Sequence, residues 1–254
     1  MSRLAALMAT ILMACASSFA GEVGECERTF VRGLELFDKA KSPDDYRAAA
    51  ALFETLVSGE FKNGAVYYNA GNAYMRAGDY GRAILAYRKA KSFRPRDPYL
   101  DANLRQALLV APGRLQEAAA PWWRHVFFWS DSLSYPEKCN GALAGFMLAA
   151  VIAGAAFLLR RNRFYILSGM LVLLSAVLSV DAAVAYQNVE HSQRAVVTRE
   201  TVARKGIGTQ YEAAFDQPLK DGAEFTVIER NGDWVFGHFD GIGDGWLPKD
   251  GVAE

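Results

Sequence analysis

Two uninterrupted apolar runs, Asn140–Leu159 and Phe164–Tyr186, dominate the hydropathy pattern and flank a short basic stretch, Arg160-Arg161-Asn162-Arg163. Each run has the about 20 residues that a helix needs to cross an apolar core near 30 Å thick. Cytoplasmic loops carry the excess of Lys and Arg, so Arg160, Arg161 and Arg163 (loop 160–163) are expected to face the cytoplasm. A tight helical hairpin then puts the regions before and after it on the opposite face. Residues 1–20 agree with export. Arg3 precedes the apolar stretch Leu4–Cys15, and Ser18 and Ala20 have the spacing of a signal peptide cleaved after Ala20. A rival reading takes Leu12-Met13-Ala14-Cys15 as a lipoprotein box with Cys15 lipidated, for which Met13 is a poor fit. The expected location is the bacterial inner membrane, crossed by 140–159 and 164–186, with both flanking domains periplasmic.

Residues 21–113 read as amphipathic helices with a self-similar period. The clearest unit is 64–97, where Tyr67-x2-Ala70-Gly71-x2-Tyr74, Ala83-x3-Tyr87 and Pro95 resemble the tetratricopeptide repeat. Gly71 and Ala83 are small where a helix pair crosses closely, the tyrosines fill space between pairs, and Gly78-Asp79 makes the turn. Pro95 closes the unit because its ring cannot continue a helix. An upstream unit, Gly33-x2-Leu36 and Ala49-x3-Phe53, is longer by a turn at Ser42-Pro43-Asp44-Asp45, which carries its own capping box. One more helix, Pro98–Val110, follows before Pro112-Gly113. Arrays of this kind need about three repeats to stand alone, so two repeats and a closing helix call for a docking surface.

Asn69 and Asn103 are thirty-four positions apart and occupy equivalent places in successive units. In tetratricopeptide domains that place lines the concave groove, where Asn hydrogen-bonds an extended ligand. Asn72, Arg76 and Gln106 share its side at helical spacing. The plainer reading, ordinary polar groups on a solvated face, stands beside it. The basic pairs of a strict carboxylate clamp are not evident.

The segment 114–139 is aromatic. Trp122, Trp123 and Trp129, with Arg124 and several Phe, suit a short interfacial helix ending before Pro136. Along the first apolar run Gly141, Gly145, Ala149 and Ala153 form a small-residue face, and Ser175, Ser179 and Ala183 offer a similar row on the second. Asp181 lies near the outer end and is not read as a proton relay.

Residues 190–254 change character. Glu224–Arg230 and Trp234–Phe239 alternate in period two around Asn231-Gly232, a hairpin signal. Val202-x-Arg204-x-Gly206, Tyr211, Gly222, Asp233-Trp234 and Gly245-Trp246-Leu247-Pro248 resemble the bacterial SH3-like barrel. Tyr211, Trp234 and Trp246 are read as core or rim packing before a ligand platform. The fold class expected is thus a multidomain membrane protein: all-α tetratricopeptide repeats, a two-helix transmembrane hairpin and a small all-β SH3-like barrel.

Charge and chemistry then remove function classes. The chain of 254 residues has 28 basic and 28 acidic side chains, so it offers no polyelectrolyte field, and nucleic acid is not an expected partner. Cys26 and Cys139 remain in the exported chain, where a disulfide is permitted and not demanded. His125, His191 and His238 fall in three regions; there is no phosphate-binding Gly-Lys-Ser/Thr loop, no Gly-x-Ser-x-Gly and no metal spacing. No enzyme activity, cofactor or metal is expected. The order of segments resembles the BatE family of aerotolerance-associated membrane proteins, most specifically in Gly64–Pro95 and in Gly245-Trp246-Leu247-Pro248. That resemblance implies an envelope complex with von Willebrand A-domain membrane proteins and a MoxR-type ATPase system. The function expected is a non-enzymatic inner-membrane scaffold whose groove grips partner proteins on the periplasmic side. The alternative is an envelope sensor that binds cell-wall peptidoglycan through residues 190–254.

Overall fold

The computed structural model describes residues 24–58, 63–115, 127–190 and 193–254. Residues 1–20, read above as a signal peptide, with Cys15, and Trp122, Trp123, His125 and His191 lie outside the described residues. The chain divides into two compact units, Met1–Asp79 and Tyr80–Glu254, each built around its own contacts.

The first unit holds helix α1 (24–39), α2 (Pro43–Ser58) and α3 (Gly64–Ala77). Gly33 of α1 meets Phe53 of α2, and a methyl on that glycine would lie 2.7 Å from the ring, so only Gly permits the crossing. Phe53 is fully buried with Phe30 edge-on at 5.7 Å, a contact that buries about 2–3 kcal/mol of apolar surface. The turn before α2 carries the anticipated box. Ser42 Oγ accepts the Asp45 amide at 3.2 Å, while Asp45 Oδ2 accepts the Ser42 and Lys41 amides at 2.9 and 3.0 Å. Asn63 caps α3 by accepting the amides of Ala65 and Val66, and Gly78 ends it in the left-handed region at φ 80°. Arg47 forks onto Asp79 at 2.9 Å through both Nε and Nη2 and reaches Asp44 at 2.7 Å. Asp79 first, then Asp44, push the guanidinium further toward its charged form.

The second unit begins with α4 (Tyr80–Phe93) and α5 (Pro98–Val110), which pack on each other. Asp97 caps α5, with Pro98 in its first turn. The chain then reaches a short helix α6 (Phe128–Ser132) and two long apolar helices, α7 (Tyr135–Leu159) and α8 (Asn162–Glu190). The short helix α6 ends at Ser132, before Pro136, and Pro136 stands in the first turn of α7, where Ser134 and Glu137 form a capping box. Between α7 and α8 only Arg160 and Arg161 are non-helical. Arg160 takes the left-handed conformation at φ 50°, and the Arg161 amide reaches back to the Ala156 carbonyl at 3.2 Å. Arg163 therefore belongs to the first turn of α8.

The contact row between α7 and α8 differs from the one read at four-residue spacing. Ala142, Ala149 and Ala156 are buried against Ser168, Ser175 and Ala182, both rows recurring every seven residues. Ser168 Oγ donates to the Ala149 carbonyl at 2.8 Å, and a methyl on Gly145 would fall 2.1 Å from Ser175 Oγ. A seven-residue repeat is what a shallow left-handed crossing selects. Of the rows read from the sequence, Gly145, Ala149 and Ser175 stand in the contact, Ser179 is half-buried with its hydroxyl bonded to the Ser175 carbonyl, and Ala183 is exposed.

Residues 193–254 form a five-stranded antiparallel sheet of β1 (Arg194–Val197), β2 (Glu224–Asn231), β3 (Trp234–Phe239), β4 (Gly243–Pro248) and β5 (Val252–Ala253), in the order β4-β3-β2-β1-β5. The β2–β3 hairpin pairs Asn231 with Trp234, so its turn residues are Gly232 and Asp233, one position later than the Asn-Gly signal places them. Gly232 has φ 57°, as a first central residue at positive φ requires. Phe225 stacks on Phe239 at 4.8 Å in the core, and a methyl on Gly237 would sit 2.2 Å from the Phe225 ring.

The sheet is docked on α4. Asp221, just before β2, accepts the Tyr80 and Gly81 amides at 3.0 and 2.9 Å and so satisfies the first turn of that helix. The Gly113 amide donates to the Asp221 carbonyl at 2.8 Å. Methyls on Gly81 and Gly113 would lie 2.4 Å from the Val197 carbonyl and 2.1 Å from the Lys220 carbonyl. Arg88 forks onto Glu224 at 3.0 Å for each bond, and Lys89 Nζ donates to the Glu254 carbonyl at 3.0 Å.

Asp221→Ala is expected to cost about 1 kcal/mol, the value of a helix N-cap, and to raise hydrogen exchange at the Tyr80 and Gly81 amides. Unchanged protection at those two amides would refute the dock. In the first unit, the Lys41 amide, then the Ser42 hydroxyl and amide, hold the Asp45 carboxyl below its ordinary range. A pKa lowered by folding contributes stability above the unfolded value, about 3.9, and that contribution is lost as pH falls through the folded value. The α2 N-terminus should therefore fray at acid pH, read from amide shifts of Lys41 and Ser42. The same acid transition persisting in Asp45→Asn would assign it to another group.

Candidate functional site

The residues singled out for partner binding fall on two helices. Asn69, Asn72 and Arg76 stand on one face of α3 at helical spacing. The Asn69 amide donates back to the Ala65 carbonyl at 2.9 Å, and Arg76 lies over the Tyr46 ring at 5.9 Å. On α5, Asn103 and Gln106 lie in a stripe with Tyr99, which is 75% exposed, and Val110, beside the buried Leu100, Leu104 and Ala107. Tyr67, Tyr74 and Tyr87 are buried, as the filling role requires, and Gly71 and Ala83 are buried with them. Each helix taken by itself thus presents amides, and α5 an aromatic ring as well, groups that can hydrogen-bond an extended backbone or stack on it.

The membrane-facing candidates are partly described. Trp129 is half-buried in α6, with Phe127 edge-on at 5.3 Å. Tyr135 and Tyr186 pair at 5.7 Å where α7 and α8 end, an aromatic couple not singled out from the sequence. Arg160, Arg161 and Arg163 are exposed at the opposite end of the helix pair. In the sheet, Tyr211 covers Gly206, and Phe236 packs on Trp246 at 5.0 Å.

Sequence reading missed Lys138. Its side chain is 4% exposed and lies 3.2 Å from both carboxylate oxygens of Asp181, which is 18% exposed. Ser130 Oγ donates to Asp181 Oδ1 at 2.7 Å, while Oδ2 receives no directed hydrogen bond and is held by charge. Arg96, after α4, pairs with Glu137 beside it. The signal for this cluster was one basic and one acidic residue at the matching ends of two apolar runs. Their sequence separation hid the match.

His238 lies 2.5 Å from Asp244 at the β3–β4 turn. Among the described residues no group of three His, Cys, Asp or Glu is arranged to hold a metal ion. Cys26 and Cys139 are free thiols.

Residues 64–97 match the family described as tetratricopeptide repeat, covering α3, the Gly78 turn, α4 and Pro95. No curated protein and no solved structure gave a match to the chain. The match supports the helical repeat as a surface for protein partners.

Lys138→Ala, which strands the Asp181 carboxylate, is expected to lower stability by about 3–5 kcal/mol, whereas Lys138→Met with Asp181→Leu should be near neutral. Denaturant unfolding in mild detergent checks this. Equal losses for the single and double variants would remove the ion pair as the cause.

Proposed function

We propose that this protein is a non-catalytic, membrane-anchored scaffold that holds partner proteins outside the cytoplasm. The single observation that carries the reading is the tetratricopeptide match over residues 64–97, a repeat type whose use is protein binding. The bilayer supplies the anchor. Helices α7 and α8 are long and apolar enough to cross it, and only 17% of each apolar window is buried. A soluble core would bury such a surface, and an exposed one of this size needs lipid or a partner. Arg160 supports the orientation: a left-handed position where glycine is least strained holds a cation instead, as a cytoplasmic turn favours. The N-terminal repeats and the C-terminal sheet then lie on the periplasmic face of an inner membrane.

The strand order β4-β3-β2-β1-β5, with a long connection between β1 and β2 and a 3-10 turn at Lys249–Gly251, supports an SH3-like barrel for residues 190–254. Its dock on α4 favours a buttress for the repeat over a free cell-wall sensor. The resemblance to BatE proteins points to an envelope complex with von Willebrand A-domain membrane proteins and a MoxR-type ATPase system, linked to stress or oxygen tolerance.

A photoreactive residue at Asn72 in living cells is expected to trap a membrane-anchored von Willebrand A-domain protein, identified by mass spectrometry. Asn69→Ala with Asn103→Ala should reduce that capture several-fold. Undiminished capture by the folded double variant, or trapping of wall fragments alone, would overturn the groove.

A further inference from the structure

A cavity of about 580 Å³ opens where α4, the ends of α7 and α8, and the edge of β1 and β2 converge. Its size is that of a small-molecule site. The wall carries charges of both signs: Arg88, Lys89, Lys91, Lys138 and Arg194 against Asp131, Asp181 and Glu224. Apolar groups share it, Leu133 and Val184 among them. From Val184 an exposed apolar stripe runs along α8 through Val180 and Val177, which are 65% and 39% exposed. These positions are spaced three and four apart and so lie on one face.

A mixed-charge pocket continuous with an apolar stripe matches an amphiphile whose head carries both signs. We propose that the cavity holds the head group of a membrane phospholipid, a phosphodiester bearing a primary ammonium, with its acyl chains along Val184, Val180 and Val177. The inference rests on the membrane reading above. Arg194 and Lys89, on rims contributed by the sheet and by α4, face the phosphate, and Asp131 of α6 accepts from the ammonium. All of these side chains already have partners, Lys89 with the Glu254 carbonyl, Arg88 with Glu224 and Lys138 with Asp181 among them, and Asp131 and Arg194 are engaged as well, so a head group must exchange with existing contacts. Exchange at the exposed rim costs little, since contacts of exposed charges contribute at most about 1 kcal/mol, whereas the bidentate Arg88–Glu224 fork, about a quarter exposed, stays in place. The buried Lys138–Asp181 pair stays as the floor. A head group seated here contacts the repeat, the helix pair and the sheet edge together, so it fills the wedge between the three elements.

The test uses the full chain in detergent, titrated with dioleoyl phosphatidylethanolamine or dioleoyl phosphatidylcholine and read by native mass spectrometry. The two lipids share tails, phosphate and net charge and differ in whether the ammonium donates hydrogen bonds. A preference of roughly fivefold for the ethanolamine lipid is expected, the worth of one net hydrogen bond. Asp131→Asn should bring that ratio close to unity, and Arg194→Gln should lower retention of both lipids by roughly fivefold. Equal retention of the two lipids by the native chain, or no response to either variant, overturns the proposal. Equally tight binding of soluble glycerophosphoethanolamine would reassign the cavity to a tail-less phosphate compound and overturn the lipid. An alkaline carbonate wash of cell membranes separates the premises. A chain that washes off refutes the membrane reading, whereas one that stays bound without lipid preference loses only the head-group site.

Discussion

The second unit depends on one constraint, the meeting of the α4 N-terminus with the loop before β2. A helix start leaves its first amides without partners, and here Asp221 satisfies two of them from far along the chain. The carboxylate can reach only because Gly81 and Gly113 carry no side chain where backbone meets backbone. One carboxylate and two glycines therefore fix where the sheet stands. Arg88 and Lys89, both more than two turns further along α4, add an ion pair with Glu224 and a hydrogen bond to the Glu254 carbonyl. The second helix of the matched repeat, α4, thus has a docking surface within its own chain.

A second fixed point lies at the end of the apolar helices. A lysine this buried persists only with its charge answered, and Asp181 answers it from the other helix. The seam below contains small residues at every seventh position, with a serine hydroxyl bonded to a facing carbonyl. Packing of that kind sets distance but tolerates sliding by a turn. The ion pair removes that freedom, since a one-turn slip would leave both charges unanswered.

Local chemistry was legible in the sequence. The Ser42–Asp45 box, the left-handed Gly78, the Pro98 start and the small–large pairing of Gly33 with Phe53 each depend on spacing within a few turns. Period alone also marked the two apolar helices and the β2–β3 hairpin, though the turn residue shifted by one. What escaped depends on distant parts of the chain. Asp221 looks like any loop aspartate, and nothing about Gly113 in Pro112-Gly113 distinguishes a turn from a close approach. The small-residue seam was legible in part, at Gly145, Ala149 and Ser175, because a helix rich in Ala and Gly offers several stripes at once. The crossing angle that chooses among them belongs to the pair.

The proposed scaffold role depends on how firmly α4 and α5 are held. Adaptor function requires that a binding surface keep its shape while its ligand pulls, and short helical arrays are pliable because each helix contacts only its neighbours. The sheet ties α4 through its first turn and its flank, and Arg96 with Glu137 ties the following turn to the start of α7. Force applied at α5 would therefore be passed to the helix pair through α4. It would not be absorbed by fraying, because the amides most prone to fray are the ones Asp221 holds. Tyr99, Asn103 and Gln106 remain on the α5 face turned away from its own buried row, so the docking interactions leave them outward. A sheet held in this way contributes rigidity to α4 and α5 without occupying the amide-bearing stripe of α5, as the proposed scaffold role requires.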